Sequence, residues 1–314
     1  MTTNKIETLR GYASALPAPF KAGAIDEEAF AAFCEWQIRQ GIAGLVVNGT
    51  TGEAPTLSMR EQRRMILLAQ VVARGQVPVI AGASANATAH AIELARQAEN
   101  AGADGLLIVT PYYNKPSQEG LYRHFRAVHE ATDLPIVLYD VPSRTGCGLS
   151  VDTICRLAEL PRIVALKDAT GDLTRPRTLR RLLGEQFRLL SGDDSTAIEF
   201  LGLGGDGCVS VLSNIVPKEC RQLYLGCAAG ELVEARELNE RLKPLADALF
   251  AESNPVPLKW ALHLMGHMSP ELRLPLCEPA ETTQALVRRA LARRGLIGRN
   301  LLVRGTVRAL SYSG

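Results

Sequence analysis

Short apolar segments recur along the chain, and each is followed by a stretch with helical periodicity. The segments are apolar throughout and do not alternate with polar residues, which is typical of parallel strands covered on both faces. Eight of them predict strands: YASAL (12–16), GLVVN (44–48), VPVIA (77–81), GLLIV (105–109), PIVLY (135–139), IVALK (163–167), FRLLS (187–191) and CVSVL (208–212). Eight strand–helix units favour an α/β fold, a (β/α)8 TIM barrel, with a doubly wound α/β sheet as the alternative.

Beyond residue 213 the pattern becomes wholly helical. Helices are predicted at about 217–228, 231–251, 255–267 and 281–294. The first of them completes the barrel in this interpretation, and the others form an appended C-terminal helical bundle. We therefore divide the chain into a catalytic (β/α)8 barrel (1–230), C-terminal helices packed on the barrel (231–297) and a tail (298–314).

The composition is that of a soluble globular protein. The 314 residues are 46% hydrophobic and 22% charged, and a formal net charge of +2 gives no reason to expect a nucleic acid or an anionic membrane as a partner. The first sixteen residues contain no apolar run long enough for a signal peptide or a membrane span. Seven cysteines, never spaced CxxC, fit reduced thiols better than disulfides or a zinc site. We expect a cytoplasmic protein.

Polar and reactive side chains follow several of the predicted strands. GTTGE (49–53) follows the second strand, TPYYNKP (110–116) the fourth and DVPSRTG (140–146) the fifth, while Lys167 ends the sixth. Active sites of TIM barrels lie at the carboxyl ends of the strands. The sequence therefore predicts an active site at this rim.

Lys167 and Tyr139 are the candidate catalytic residues. A lysine desolvated by apolar strands has a lowered pKa, and its free amine attacks a ketone to form a Schiff base. The alternatives are a lysine that reaches solvent from the strand end, or one paired with Asp168. A phenol such as that of Tyr139 is a suitable general acid–base for this chemistry, the alternative being a core tyrosine with a satisfied hydroxyl.

Carboxylate-binding groups are predicted beside this pair. Gly49 and Gly52 allow the backbone of GTTGE to approach a ligand closely, while its amides and the hydroxyls of Thr50 and Thr51 can hold a carboxylate. The segment is not a P-loop, because GK[ST] is missing. Arg144 offers a planar fork suited to a second carboxylate, unless it is an ordinary surface arginine.

Two further motifs carry no function in this interpretation. GLGGDG (202–207) fits GxGxxG but precedes a strand, so a dinucleotide site is not expected. His263 and His267 are four residues apart, but no HExxH glutamate and no third ligand accompany them. We expect no metal.

Five motifs, in the order GTTGE, TPYYNKPSQEG, YDVPSRTG, ALKDATG and LLSGDD, resemble those of the dihydrodipicolinate synthase family. This family belongs to the pyruvate-dependent class I aldolases, which include N-acetylneuraminate lyase, and the resemblance covers residues 12–297. It implies condensation of pyruvate with L-aspartate 4-semialdehyde, giving 4-hydroxy-tetrahydrodipicolinate in lysine and diaminopimelate biosynthesis. The alternative within the group is an aldolase or dehydratase acting on a 2-keto-3-deoxy sugar acid. An alternative of another class is a catalytically silent barrel that binds a keto acid.

The resemblance also implies roles for the candidate residues at the reacting carbonyl. Lys167 would form the Schiff base with pyruvate, and Tyr139 would donate and accept the proton at the carbonyl. Thr50 would join Tyr139 to Tyr113 in a proton relay, with Tyr113 reaching the site from a partner subunit.

Further implied roles concern the substrate carboxylates. Thr51 and its loop would hold the carboxylate of pyruvate, with the backbone of Val209 nearby, and Arg144 would bind the carboxylate of the semialdehyde. Family members are usually homotetramers, arranged as dimers of dimers, with no metal or organic cofactor. The Schiff base with pyruvate takes the place of a cofactor.

Two departures from the family pattern carry expectations. Asp140 stands where asparagine is frequent, and it should point away from the site because adjacent strand residues face opposite sides. Asn86 and Tyr112 match the family's allosteric pocket, but Met59 and Gln62 occupy positions that often hold histidines. His90 replaces a glutamate that would bind the effector's ammonium group. Losing this charge-assisted contact, worth about 1.5–3 kcal/mol, predicts weak inhibition by L-lysine.

Overall fold

The computed structural model describes residues 5–298, and its eight parallel strands close into a single barrel. The strands are β1 (Gly11–Ala15), β2 (Gly44–Val47), β3 (Val79–Gly82), β4 (Gly105–Val109), β5 (Ile136–Asp140), β6 (Ile163–Asp168), β7 (Arg188–Ser191) and β8 (Gly207–Ser210). Each predicted segment forms one strand, with bounds that differ by at most two residues. The TIM-barrel prediction is confirmed, and the doubly wound alternative is wrong because β1 pairs with both β2 and β8.

Helices cover the outside of the barrel. They are α1 (Glu27–Arg39), α2 (Met59–Ala73), α3 (Thr88–Asn100), α4 (Gln118–Glu130), the single turn α5 (Pro142–Thr145), α6 (Val151–Ala158), α7 (Thr174–Leu183), α8 (Ala197–Gly202) and α9 (Pro217–Ala229). Local signals start several of them: the Asp26 side chain accepts from the Ala29 amide at α1, and Ser58 forms a capping box with Glu61 at α2. A hairpin of two-residue strands after β1 was not predicted, because two residues show no periodicity.

The C-terminal part of the described chain is helical, as the pattern indicates. It contains α10 (Leu232–Leu249), α11 (Val256–Leu264) and α12 (Glu281–Arg293), and α10 packs on α9. The division of the chain at residue 230 stays a prediction, and the predicted tail lies outside the described residues except for Gly298. Within residues 5–298, no helix combines the length and apolar character needed to cross a membrane.

Alternation along the strands decides which side chains face the inside of the barrel. On β5, Val137 and Tyr139 join the hydrophobic cluster that fills the barrel, whereas Ile136 and Leu138 join the cluster between strands and helices. The same alternation on the neighbouring strand brings Lys167 beside Tyr139 in the parallel register. The catalytic candidates therefore face inward because of their position in the strand.

Candidate active site

Lys167 and Tyr139 are buried together at the carboxyl end of the barrel. Their exposed fractions are 6% and 7%, and the Lys167 Nζ lies 4.0 Å from the centroid of the Tyr139 ring. Asp168 bonds to Arg175, and no carboxylate of residues 5–298 lies within ion-pair distance of Lys167. Neither alternative for Lys167, solvation at a strand end or pairing with Asp168, is therefore found.

A cavity of about 460 Å³ opens above this pair. Seven of the nine predicted site residues line it: Gly49, Thr50, Thr51, Tyr139, Arg144, Lys167 and Val209. They come from four strand ends and the loops that follow, so the barrel brings together residues up to 160 positions apart. The cavity joins an amine, a phenol, two hydroxyls and a guanidinium, a set that can form an imine and bind two carboxylates.

Gly52 packs against the backbone of its own loop and of β1's end and does not face the cavity. A Cβ at this position would lie 3.2 Å from the Leu16 carbonyl oxygen and 3.3 Å from the Asn48 amide nitrogen, so a side chain would require this backbone to move by a few tenths of an ångström. Gly52 does not line the cavity. The sequence predicts that Gly52 lets the backbone approach a ligand, whereas the close approach in the structure is to the protein's own backbone at Leu16 and Asn48.

A buried ion pair holds the last residue of GTTGE. The Lys259 Nζ on α11 donates to Glu53 Oε1 at 2.7 Å, and both side chains are fully buried. The Arg273 backbone amide donates to Glu53 Oε2 at 3.1 Å. Burial lowers the pKa of Lys259, while Glu53 opposes this shift. Lys259 was not predicted from the sequence, where its one signal is a lysine within the apolar stretch VPLKWALHL.

Asn254, just before α11, connects the two predicted carboxylate-binding groups. Its Nδ2 donates to Thr51 Oγ1 at 2.9 Å, and its carbonyl oxygen accepts from Arg144 Nη2 at 3.3 Å. The C-terminal segment thus fixes the site from above, through Asn254 as well as through Lys259. Asn254 was also missed, because no local pattern distinguishes it.

Gly192 makes room for the Lys167 side chain. A Cβ on Gly192 would lie 3.0 Å from the Lys167 Cε and 2.8 Å from the Ala169 Cβ, contacts too short to be accommodated without movement. LLSGDD contributed to the resemblance, but the sequence alone did not show why it contains a glycine.

Tyr113 stands apart from the other predicted residues. Its side chain is 89% exposed, its φ is +75°, and it does not line the cavity. One subunit alone therefore does not bring Tyr113 to Thr50. Its arrival from a second subunit stays a prediction.

Asp140 faces away from the cavity, which confirms its predicted orientation. It is fully buried, and Arg175 Nη2 on α7 donates to its Oδ2 at 2.8 Å, while Arg175 Nε donates to Asp168 Oδ2 at 2.7 Å. Burial raises the pKa of Asp140 to about 6; Arg175 opposes the shift and Asp168 adds to it.

A second cavity of about 480 Å³ adjoins the first and shares Thr50 and Tyr139 with it. Gln62, His90 and Tyr112 line it, and they are residues that the resemblance assigns to an allosteric pocket. The Asn86 carbonyl oxygen accepts from Asn114 Nδ2 at 2.9 Å nearby.

The two histidines of HLMGH pack against aromatic rings. His263 contacts Trp260 with ring centroids 5.5 Å apart, and His267 contacts Trp36 at 4.6 Å. Burial lowers the pKa of His267. Neither histidine lines either of the two cavities at the carboxyl end.

Comparison with known proteins places this geometry in context. Residues 8–294 match the model of the dihydrodipicolinate synthetase family. The chain is 51% identical over 282 residues to the 4-hydroxy-tetrahydrodipicolinate synthase of Rhodospirillum centenum, covering 90% of this chain and 97% of that protein. It is 48% identical over 291 residues to the enzyme of that name from Methylobacterium radiotolerans, covering 93% and 97%.

Solved structures agree with the sequence relatives. The dihydrodipicolinate synthase of Acinetobacter baumannii, complexed with pyruvate, superposes with a TM-score of 0.90 at 46% identity, over 92% of this chain and 100% of that one. A monomeric dihydrodipicolinate synthase variant superposes with a TM-score of 0.91 at 40% identity, over 94% and 99%.

Proposed function

The chain belongs to the dihydrodipicolinate synthetase family, and we propose on this premise that it catalyses the 4-hydroxy-tetrahydrodipicolinate synthase reaction. In this reaction a lyase condenses pyruvate with L-aspartate 4-semialdehyde, in lysine and diaminopimelate biosynthesis. The observation that carries the proposal is the buried amine of Lys167. It faces the cavity, lies against Tyr139 and forms no ion pair with a carboxylate of residues 5–298.

Lys167 forms the covalent intermediate in this proposal. Its amine attacks the ketone carbon of pyruvate, and loss of water gives an imine that acts as an electron sink. Tyr139 supplies the proton to the departing hydroxyl and takes one back. In support, the Lys167 Nζ lies 4.0 Å from the centroid of the Tyr139 ring, so the two side chains are neighbours at the reacting carbonyl. Loss of a methyl proton gives the enamine, whose carbon attacks the aldehyde carbon of the second substrate. No metal or organic cofactor takes part.

The surrounding groups hold the substrates. Thr51 and the loop amides bind the carboxylate of pyruvate, and Asn254 orients the Thr51 hydroxyl. Val209 closes the site from β8. Arg144 binds the carboxylate of the semialdehyde, and its contact with the Asn254 carbonyl oxygen holds it over the cavity.

The proton relay sets a requirement on assembly. Thr50 lines the cavity beside Tyr139, whereas the exposed Tyr113 lies outside it. We therefore propose a homotetramer, a dimer of dimers, in which each Tyr113 completes the relay of its partner. The setting proposed is the cytoplasm, where the seven unpaired cysteines remain reduced.

A coupled assay tests the function. The protein is mixed with pyruvate and L-aspartate 4-semialdehyde, and product is followed through NADPH oxidation by dihydrodipicolinate reductase. Turnover that depends on both substrates is expected. Absence of turnover, with pyruvate still trapped on Lys167 by borohydride, would contradict the proposed second substrate and redirect the chemistry to a 2-keto-3-deoxy sugar acid.

A further inference from the structure

Two acidic residues lie directly behind the catalytic pair. Across β5 and β6, Tyr139 lies opposite Lys167, and one position later Asp140 lies opposite Asp168. Because strand side chains alternate, the first pair faces the cavity and the second faces the helix layer. A displacement of Asp140 relative to Asp168 therefore moves the two strand ends on which the catalytic side chains are carried.

One arginine bonds both carboxylates. Arg175 Nη2 donates to Asp140 Oδ2 at 2.8 Å, Nε donates to Asp168 Oδ2 at 2.7 Å, and Nη1 donates to the Leu149 carbonyl oxygen at 2.9 Å. All three guanidinium nitrogens are thus engaged. The exposed fractions of the three ionic side chains are 0%, 3% and 12% for Asp140, Asp168 and Arg175, so solvent screens this network little.

The network has one positive charge for two negative ones. Arg175 from α7 and Asp168 from β6 are the charged groups that face Asp140, and the Leu149 amide donates to its Oδ2 at 3.2 Å. Asp140 Oδ1 is buried and has no hydrogen-bond partner within residues 5–298. An ionised carboxylate with an unpartnered buried oxygen is costly. This cost explains why the pKa of Asp140 rises to about 6, close to neutrality.

We infer that Asp140 is a positioning residue for the reaction: with Arg175 and Asp168 it forms a strand-end clamp that holds Tyr139 against Lys167, and its protonation loosens this clamp. The inference rests on the proposed roles of Lys167 and Tyr139. When Asp140 is ionised, Arg175 bonds both strands through charged contacts. When Asp140 takes up a proton, its contact with Arg175 is no longer an ion pair, and the tie between the strand ends weakens.

Asp140→Asn tests the clamp, because asparagine has the shape of the protonated residue and cannot ionise. kcat and KM for pyruvate are measured from pH 5 to 8.5 for the unmodified protein and the variant, together with the rate of borohydride trapping of pyruvate. The matched control is Asp206→Asn, which removes a buried, arginine-paired carboxylate from the opposite end of the barrel.

We expect the ratio of kcat of the unmodified protein to kcat of Asp140→Asn to change with pH, with a midpoint near pH 6. Above that pH we expect the unmodified protein to exceed Asp140→Asn severalfold, because Arg175 then loses one of its two ionic contacts. The effect should stay smaller than the loss of a catalytic group, since asparagine is frequent at this position in the family. Below it the ratio approaches one, with KM for pyruvate little changed throughout. The trapping rate should follow the same curve, and Asp206→Asn should give a ratio that does not vary with pH.

A ratio for Asp140→Asn that is constant over the whole pH range would overturn the clamp, even if the variant melts at a lower temperature. Trapping separates this failure from failure of the proposed function. Trapping that persists without turnover rejects only the second substrate, and the ratio of trapping rates still decides the clamp. If the unmodified protein shows neither trapping nor turnover, both inferences fall.

Discussion

The two ends of the barrel both bury carboxylates against arginines, but in opposite proportions. At the carboxyl end, Arg175 is the one cation of residues 5–298 that forms an ion pair with Asp140 and with Asp168. At the amino end, where β7 and β8 begin, the buried Asp206 pairs with Arg180 and Arg188 and lies 3.6 Å from Arg10. The exposed Glu185 also lies 3.9 Å from Arg180. One end therefore carries an excess of buried negative charge beside the catalytic pair, and the other an excess of positive charge far from it.

The contacts of Asp206 show what the amino end does. Leu189 donates its amide to Asp206 Oδ2 at 2.9 Å, and Gly11 donates its amide to the Asp206 carbonyl oxygen at 2.9 Å. One residue thus ties together β1, β7 and β8. Buried aspartate–arginine pairs thus stabilise the barrel at the amino end. At the carboxyl end such a pair also affects the protonation of Asp140, behind the active site.

Among substitutions at the carboxyl end, Lys167→Ala should cause the largest loss of turnover. We expect turnover to fall by roughly 10³-fold or more, since Lys167 is the one lysine among residues 5–298 that lines the cavity and could form the Schiff base. Removing a buried lysine that has no ion-pair partner within residues 5–298 should not lower the melting temperature. Steady-state assays and calorimetry check both statements; turnover within tenfold of the unmodified protein would contradict the assignment.

Asp206→Asn, at the amino end, should lower stability and leave turnover nearly unchanged, the opposite of Lys167→Ala. It leaves Arg180 and Arg188 in a mostly buried site with one fewer negative charge, so we expect a loss of about 3–5 kcal/mol in the free energy of unfolding. kcat should change less than twofold, because the residue lies at the end of the barrel opposite the active site. Urea unfolding and the coupled assay measure the two quantities, and a variant with unchanged stability would remove the contrast between the ends.

Within the carboxyl end, Arg144→Ala separates binding of the second substrate from binding of pyruvate. Loss of a charge-assisted contact with the second substrate should reduce kcat/KM for L-aspartate 4-semialdehyde about tenfold to a hundredfold. Pyruvate trapping on Lys167 should persist, because Thr51 and its loop are untouched. Arg144→Lys, which keeps the charge without the planar fork, is the matched variant and should lie between the two. An equal loss of trapping and of aldehyde use would make Arg144 structural.

The sequence predicts the strands well, because each buried strand leaves a continuous apolar run that needs no knowledge of its neighbours. It also predicts the residues at strand ends, since parallel strands bring their carboxyl ends together at one rim. Lys167, Tyr139 and Arg144 were found in this way.

What the sequence does not show are pairings between distant residues. Glu53 and Lys259 are 206 positions apart, and Thr51 and Asn254 are 203 apart, so neither partner leaves a periodic signal. The Arg175 contacts of Asp140 and Asp168 were missed for the same reason. Asp140 itself was correctly placed outside the cavity, because that required only the alternation of one strand.

The assignment of Lys167 as the Schiff-base residue is tested most directly by reducing the protein with borohydride in the presence of pyruvate. The modified peptide is then mapped by mass spectrometry. A single reduced pyruvyl adduct on Lys167 is predicted, and it should be absent from Lys167→Ala. No adduct, or an adduct on another lysine such as the buried Lys259, would mean that the Lys167 amine facing Tyr139 is not the covalent catalyst.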